Sequence, residues 1–232
     1  MGKKIFIVHG WTYTTDAWNA CLAELKEQGF EPVMLHVPGL TEFSQEVWDL
    51  DKYVRWLTRK LEKETEVALV GHSNGGRIAI AYAAQHHPQL ARLVLIDAAG
   101  IRHNEPLLRL RRAVLGALAR VLRPLTILQF ARMVLYRLIG AHDYSRAPEN
   151  MRETMKNLIA IDLTPHLSEV TVPTLIIWGE NDRETPLSDA RLMRERIRNS
   201  TLVTIPDAGH SPHATHPSEV IEKIVQSLTV TS

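Results

Sequence analysis

A serine stands between two glycines in the stretch Gly71-His72-Ser73-Asn74-Gly75, with an apolar run before it and a helix-like run of small residues after it. A serine on a sharp turn from strand to helix is held in a strained backbone conformation. Glycines two residues away on either side remove the Cβ atoms that would collide there. Such a turn lifts the hydroxyl above the edge of a sheet, at a helix N-terminus whose N–H groups can face an anion. The pattern predicts that Ser73 is a nucleophile, and an ordinary loop is the less favoured interpretation.

A serine hydroxyl is a poor nucleophile at neutral pH, so it needs a nearby base and a third group that orients the base. For a nucleophile on this kind of turn, the order along the chain is Ser, then Asp, then His. Asp182 follows the apolar run 173–178, and His210 follows the run 201–205. Both loops leave the carboxyl ends of predicted strands, where open parallel sheets carry their sites. We predict that His210 is the base and that Asp182 orients it.

Two other aspartates could take the acid role. Asp97 also follows a predicted strand, but its Asp-Ala-Ala-Gly context is more typical of a loop cap. Asp207 is too near His210 in sequence to orient that side chain. Asp182 is therefore the favoured acid.

A metal site is the alternative use of the C-terminal histidines, which recur at positions 210, 213 and 216. The prolines at 212 and 217 interrupt any helix that would align the three rings. No cluster of acidic ligands accompanies them, so we predict no metal site.

Short apolar runs alternate with helical patterns up to Ile96 and again after Pro173, which indicates a parallel sheet with helices on both faces. The predicted strands span 5–8, 31–37, 67–70, 93–96, 173–178 and 201–205. Predicted helices cover 16–28, the residues after Ser73, 188–197 and a terminal helix that Pro217 begins. A further helix over 47–61 would present Val47 on its apolar face with Leu50, Val54, Leu57 and Leu61.

The alternation breaks over 101–160, where only helix-like segments rich in Leu, Ala and Arg occur. We predict a helical insertion there, within one domain whose core comprises 1–100 and 161–232. The insertion carries eleven basic and four acidic residues, a net charge of +7, and the rest of the chain carries −6. Its stretch 107–139 is basic and amphipathic. We favour leucines packed on the core beneath a solvated face of arginines, since arginine stems cover apolar surface. Docking of 107–139 on an anionic membrane is the less favoured alternative.

The composition is ordinary for a globular protein, with 45% hydrophobic and 23% charged residues among 232. A net charge of +1 gives no reason to expect a nucleic-acid partner. The single cysteine, Cys21, excludes an internal disulfide framework.

No run approaches the roughly 20 apolar residues of a membrane span, and the first apolar run is too short for a signal peptide. We therefore expect a cytoplasmic protein without a transmembrane segment.

Four motifs in chain order resemble those of the α/β-hydrolase superfamily: His9-Gly10-Trp11, the serine turn at 71–76, the run 172–179 with Asp182, and Ala208-Gly209-His210. The small carboxylesterases with a His-Gly-Trp loop are the most similar members. The resemblance implies Ser73 as nucleophile, His210 as general base and acid, and Asp182 as the orienting carboxylate.

The same resemblance implies an oxyanion hole from the backbone N–H groups of Trp11 and Asn74, with His9 and His72 fixing loops. The segment 101–160 stands where that family carries its cap. Because the first strand resembles the family's third, we expect an α/β-hydrolase fold with a mostly or wholly parallel sheet of about six strands.

The resemblance implies a serine hydrolase that cleaves small-molecule carboxylic esters of short to medium acyl chain, with no metal or organic cofactor. Thioester hydrolysis, C–C bond hydrolysis and acyl transfer use the same triad and stay open, because the fold does not set the reaction. A dehalogenase or epoxide hydrolase is disfavoured, since those relatives need Asp where Ser73 stands. A non-catalytic binding protein on the same scaffold is the alternative of a different class.

Overall fold

A sheet of six parallel strands lies at the centre of the computed structural model, which describes residues 2–102 and 147–229. The strands are β1 (Lys4–Val8), β2 (Glu31–Leu35), β3 (Val67–His72), β4 (Leu90–Ile96), β5 (Thr174–Gly179) and β6 (Ser200–Ile205). Their order across the sheet is β2-β1-β3-β4-β5-β6, and every neighbouring pair is parallel. The prediction of a wholly parallel sheet of six strands is confirmed.

The inner strands β1, β3 and β5 are nearly continuous apolar runs because both faces of the sheet are covered there. In β1, Phe6 and Val8 join the hydrophobic core on one face, and Ile5 and Ile7 join the core on the other. Successive side chains of a strand point to opposite faces, so an all-apolar strand needs helices on both sides.

Helices cover both faces of this sheet. They are α1 (Asn19–Glu27), α2 (Leu50–Leu61), α3 (Asn74–Ala83), α4 (Glu149–Ala160), α5 (Leu187–Arg196), α6 (Pro212–Thr215) and α7 (Pro217–Thr229), with 3-10 turns at Asp16–Trp18 and Thr164–Glu169. The buried apolar side chains of α1 and α7 belong to one core, and those of α2, α3 and α5 belong to the other. Within the described residues, no helix is long and apolar enough to cross a membrane.

The helix predicted over 47–61 begins three residues later than expected. The Asp49 carboxylate accepts a hydrogen bond from the Lys52 N–H at 2.7 Å and caps the helix, which therefore starts at Leu50. Val47 lies before this cap and is 38% exposed. The placement of Val47 on the apolar helix face was wrong, because the capping aspartate ends the helix before that residue.

Most of the predicted insertion 101–160, including the whole basic stretch 107–139, lies outside the described residues. The helix of the insertion that falls within the described residues is α4, and its Leu158 is buried in the core on the α2 and α3 side of the sheet. Arg77 of α3 donates from Nη1 to the carbonyl oxygens of Leu158 and Ile161, at 2.8 and 3.1 Å. The end of α4 is thus tied to the helix that follows Ser73. The division into core and insertion stays a prediction.

Candidate active site

Ser73 lies between β3 and α3 with φ 51° and ψ −118°, a conformation that residues with a Cβ rarely adopt. Its N–H donates to the Ile96 carbonyl at 3.0 Å, and its carbonyl accepts the Ala99 N–H at 2.9 Å. Both partners belong to β4 and the loop after it. The adjoining strand end therefore holds the serine in the strained turn that the sequence predicted.

The glycines of the serine motif leave room for this turn. A Cβ on Gly71 would lie 2.7 Å from the Gly75 carbonyl oxygen. A Cβ on Gly75 would collide with the carbonyl oxygens of Val8 and His9 at the end of β1. Glycine at 71 therefore lets the turn close on itself, and glycine at 75 lets it pack against the end of β1.

His210 and Asp182 reach the serine from the loops after β6 and β5. The Nε2 atom of His210 lies 2.9 Å from Ser73 Oγ, and its Nδ1 atom lies 2.8 Å from Asp182 Oδ2. The Asp182 side chain is 0% exposed and that of His210 is 13% exposed. When Nδ1–H donates to the carboxylate, Nε2 faces the serine hydroxyl with a lone pair. The structure thus brings together the three residues predicted as nucleophile, base and acid.

The Asp182 carboxylate is held by four hydrogen bonds. Its Oδ1 atom accepts the N–H groups of Glu184 and Thr185 at 2.7 and 3.1 Å, and Oδ2 accepts the Thr185 hydroxyl at 2.7 Å beside the His210 ring. Burial raises the pKa of Asp182, but the bonds and charge of His210 and the bonds from the loop outweigh it and hold this pKa below its usual value. Asp182 therefore stays ionised at neutral pH.

Thr185 was missed by the sequence reasoning, although a signal for it exists. An aspartate side chain that accepts backbone N–H groups two and three residues later is a common turn, and the Asp182-Arg183-Glu184-Thr185 order fits one. Its hydroxyl also lies 3.3 Å from His210 Nδ1.

The predicted oxyanion hole consists of the backbone N–H groups of Asn74, which follows Ser73, and of Trp11, which follows Gly10. Asn74 is the first residue of α3, so its N–H has no acceptor within the helix. A Cβ on Gly10 would lie 3.1 Å from the Ser73 Cβ, so the residue before Trp11 packs against the serine. Among the described residues neither N–H group donates to an acceptor. The binding of an oxyanion there stays a prediction.

His9 and His72 hold the loops around the serine. The His9 ring contacts the Gly10 carbonyl through Nδ1 at 2.8 Å and the Thr41 hydroxyl through Nε2 at 2.7 Å. His72 Nε2 donates to the His210 carbonyl at 2.7 Å and so fixes the loop of the base. Burial lowers the pKa of both rings, which keeps them neutral at pH 7. These contacts fit the role that the resemblance implies.

Asp97, the rival acid, lies at the end of β4 with 0% exposure and φ 42°. Its Oδ1 atom accepts the Gly179 N–H at 2.9 Å. No hydrogen bond joins Asp97 to His210 among the residues described, whereas Asp182 contacts the His210 ring directly. The geometry therefore favours Asp182 as the orienting carboxylate.

His213 is a buried packing residue. Its ring stacks on Trp18 with a centroid distance of 4.1 Å and lies 4.3 Å from the ring of His72. Burial, with a smaller effect of His210, lowers the pKa of His213 to about 4. The buried Cys21 thiol lies 3.1 Å from the His213 carbonyl, and burial raises its pKa to about 12, so it is not a nucleophile at neutral pH. Residues 2–102 and 147–229 contain no group of three or more metal-ligating side chains that could hold an ion.

Comparison with known proteins agrees with this fold. The sequence pattern of the alpha/beta hydrolase family matches residues 5–223. A pimeloyl-[acyl-carrier protein] methyl ester esterase of Nitrosomonas europaea is 24% identical over 95% of this chain and 93% of its own. The human monoacylglycerol lipase ABHD6 is 25% identical over 97% of this chain and 75% of its own. The solved enol-lactonase of Burkholderia xenovorans superimposes with a TM-score of 0.74 at 21% identity, covering 99% of this chain and 92% of its own.

Proposed function

Because the chain belongs to the alpha/beta hydrolase family, we propose that it is a serine hydrolase that cleaves small-molecule carboxylic esters through an acyl-enzyme on Ser73. The observation that carries this proposal is the unbroken line of contacts from Ser73 Oγ to His210 Nε2 and from His210 Nδ1 to Asp182 Oδ2, at 2.9 and 2.8 Å. A nucleophile, a base and an orienting carboxylate within hydrogen-bond reach are what acyl transfer requires.

In the first half of the reaction, Ser73 Oγ attacks the ester carbonyl carbon while His210 Nε2 takes the hydroxyl proton. The carbonyl oxygen becomes an oxyanion, and the N–H groups of Trp11 and Asn74 donate to it. The intermediate collapses when the C–O bond to the alcohol breaks, and His210 returns its proton to the departing alcohol oxygen. The products of this half are a free alcohol and an ester of Ser73.

In the second half, a water molecule attacks the acyl-enzyme and His210 accepts one of its protons. The same N–H groups stabilise the second oxyanion, the bond to Ser73 Oγ breaks, and His210 gives the proton back to that oxygen. Asp182 stays ionised throughout and stabilises the imidazolium that forms twice in each cycle.

Two considerations support an ester as the substrate. The esterase and the lipase among the relatives are both named for ester chemistry. The apolar residues of the predicted insertion 101–160 support an acyl chain of short to medium length, since a family cap at that position would line the acyl pocket. We therefore choose p-nitrophenyl butyrate as the first test substrate.

Replacement of the nucleophile tests this proposal. We predict that Ser73→Ala lowers kcat for p-nitrophenyl butyrate by about 10⁶-fold, because no other group can form the acyl-enzyme. The rate of p-nitrophenol release measures this directly, and the circular dichroism spectrum should match that of the parent chain. Undiminished turnover by a folded Ser73→Ala variant would remove Ser73 from the mechanism.

A further inference from the structure

A second buried carboxyl lies beside the acid of the triad. Gly179, whose N–H donates to Asp97 Oδ1, stands three residues before Asp182 at the end of β5. The Thr185 hydroxyl lies 3.2 Å from the Asp97 carbonyl and 2.7 Å from Asp182 Oδ2, so it bridges the two aspartates. Asp97 is 0% exposed, as is the Asp182 side chain. Water therefore solvates neither carboxyl.

The hydrogen bonds of the two carboxyls are unequal. Asp182 accepts four, from donors that include the His210 ring. Asp97 accepts one at Oδ1, and no donor within 2–102 or 147–229 reaches its Oδ2 atom. An ionised carboxylate without donors, buried next to another, is costly, and a proton on one of the pair removes that cost.

The charges around the pair favour the proton on Asp97. The pKa of Asp97 is raised to about 9, chiefly by burial. The Gly179 N–H lowers it, and the neighbouring Asp182 carboxylate adds to the rise. Glu184, in the same loop as Asp182, adds a smaller increase. The basic side chain in this group is the His210 ring, and it contacts Asp182. Two carboxylates cannot hydrogen-bond to each other unless one carries a proton, and the proton belongs on the oxygen that lacks a donor.

We propose that Asp97 is protonated in the active enzyme and donates a hydrogen bond to the Asp182 carboxylate, which makes Asp97 a positioning residue for the triad. This inference rests on the proposed serine-hydrolase function. The proton stays on Asp97 through the cycle and no bond to it breaks. Its effect is to fix the Asp182 side chain and to keep the charge of the pair at −1, the charge that stabilises the His210 imidazolium.

Loss of this proton should be harmful. An ionised Asp97 would add a second negative charge beside Asp182 and turn a hydrogen bond into a repulsion. The activity of the parent chain is therefore expected to fall at alkaline pH, as Asp97 ionises.

Two substitutions separate this role from simple packing. In Asp97→Asn, the amide oxygen can accept the Gly179 N–H and the amide N–H can donate to Asp182, as the protonated carboxyl does. In Asp97→Leu, the size is similar but both hydrogen bonds are lost. Asp207→Asn is the matched control, since Asp207 is exposed, has a positive φ of 59° and lies three residues from His210.

The experiment measures kcat and KM for p-nitrophenyl butyrate from pH 6 to 10.5, with Ser73→Ala as the blank for spontaneous hydrolysis. At pH 7 we expect Asp97→Leu to lose about 10- to 100-fold in kcat, the effect of a hydrogen bond lost from a charged group, with little change in KM. Asp97→Asn should retain most of the turnover. Above about pH 9 the parent chain and Asp207→Asn should lose activity, and Asp97→Asn should not.

Equal alkaline losses in the parent chain and Asp97→Asn would overturn the proposal, as would an Asp97→Asn variant as impaired as Asp97→Leu. If Asp97→Leu does not fold, the pH profile of Asp97→Asn decides alone. Infrared spectroscopy gives a readout without turnover: the carbonyl band of a protonated carboxyl at pH 7 should be present in the parent chain and missing from Asp97→Asn. If the band is present but the protein has no esterase activity, only the proposed function is contradicted. If the enzyme is active but the band is absent, only the inference about Asp97 is contradicted.

Discussion

At Ser73 the backbone stores strain that the rest of the site maintains. A positive φ at a residue with a Cβ costs about 1–3 kcal/mol and persists only where neighbouring structure fixes it. The carbonyl of Ile96 and the N–H of Ala99 provide that fixation through hydrogen bonds to the serine backbone. The result is a hydroxyl at the start of α3, within 2.9 Å of His210 Nε2. The strained backbone, the contact with His210 and the N-terminus of α3 therefore all meet at Ser73.

A single substitution at Asp182 tests the acid of the triad. We predict that Asp182→Asn lowers kcat by about 10⁴-fold with little change in KM, because the amide N–H would face His210 Nδ1 and favour the tautomer that cannot accept the serine proton. Steady-state kinetics with p-nitrophenyl butyrate measure the effect, with Asp207→Asn as the control. A nearly normal Asp182→Asn enzyme together with an inactive Asp97→Asn enzyme would assign the acid role to Asp97.

At the scale of the elements, the sequence predicted the strands because each is a short run rich in apolar or β-branched residues that is followed by glycine, proline or a polar residue. The carboxyl ends of parallel strands meet at one edge of a sheet, so Ser73, Asp182 and His210 could be expected together although they are far apart in the chain. Helix starts were less predictable. The helix that begins at Leu50 depends on the cap by Asp49, and Val47 fits the helical spacing equally well.

The contacts that link distant loops could not be derived from the sequence. The bond of His72 to the His210 carbonyl, the stacking of His213 on Trp18 and the Thr185 bridge between Asp97 and Asp182 each depend on the register of packed elements. Spacing along the chain carries no signal for such register, so Thr185 and the contact partners of His72 and His213 were not predicted.

His213 of α6 packs on the 3-10 turn at Asp16–Trp18, and this burial makes the free energy of unfolding depend on pH. Because burial lowers the pKa of His213 to about 4, the unfolded chain binds more protons at this residue between pH 6.5 and pH 4. Its contribution to stability is present above pH 6.5 and is lost as the pH falls toward 4. On going from pH 7 to pH 5, His213 should lower the free energy of unfolding by about 2 kcal/mol.

The variant His213→Phe can keep the stacking on Trp18 and cannot titrate. We predict that between pH 7 and pH 5 its free energy of unfolding falls by about 2 kcal/mol less than that of the parent chain. Urea titration at the two pH values measures both free energies. His36→Phe, a substitution of an exposed ring, is the control and should behave as the parent does. The neighbouring rings of His72 and His210 are present in all three proteins. An equal fall in the parent and His213→Phe would show that His213 does not couple to folding.

At the scale of the whole molecule, the sheet and its two layers of helices place the three predicted catalytic residues at one edge. Relatives that are 24–25% identical over 95–97% of this chain differ in their named substrates. The fold alone therefore leaves the reaction and the substrate open. We propose that Ser73, His210 and Asp182 set the kind of chemistry and that the predicted insertion 101–160, with its arginines and leucines, takes part in selecting the acyl group.

The central claim is that Ser73 is a nucleophile activated by its partners in the folded chain. The most direct test is the intact mass of the protein after reaction with a fluorophosphonate, followed by peptide mapping. We predict one adduct per chain, located on Ser73, and no adduct on Ser73→Ala or on heat-denatured protein. A folded chain without any adduct, or an equal adduct on Ser73→Ala, would contradict the claim.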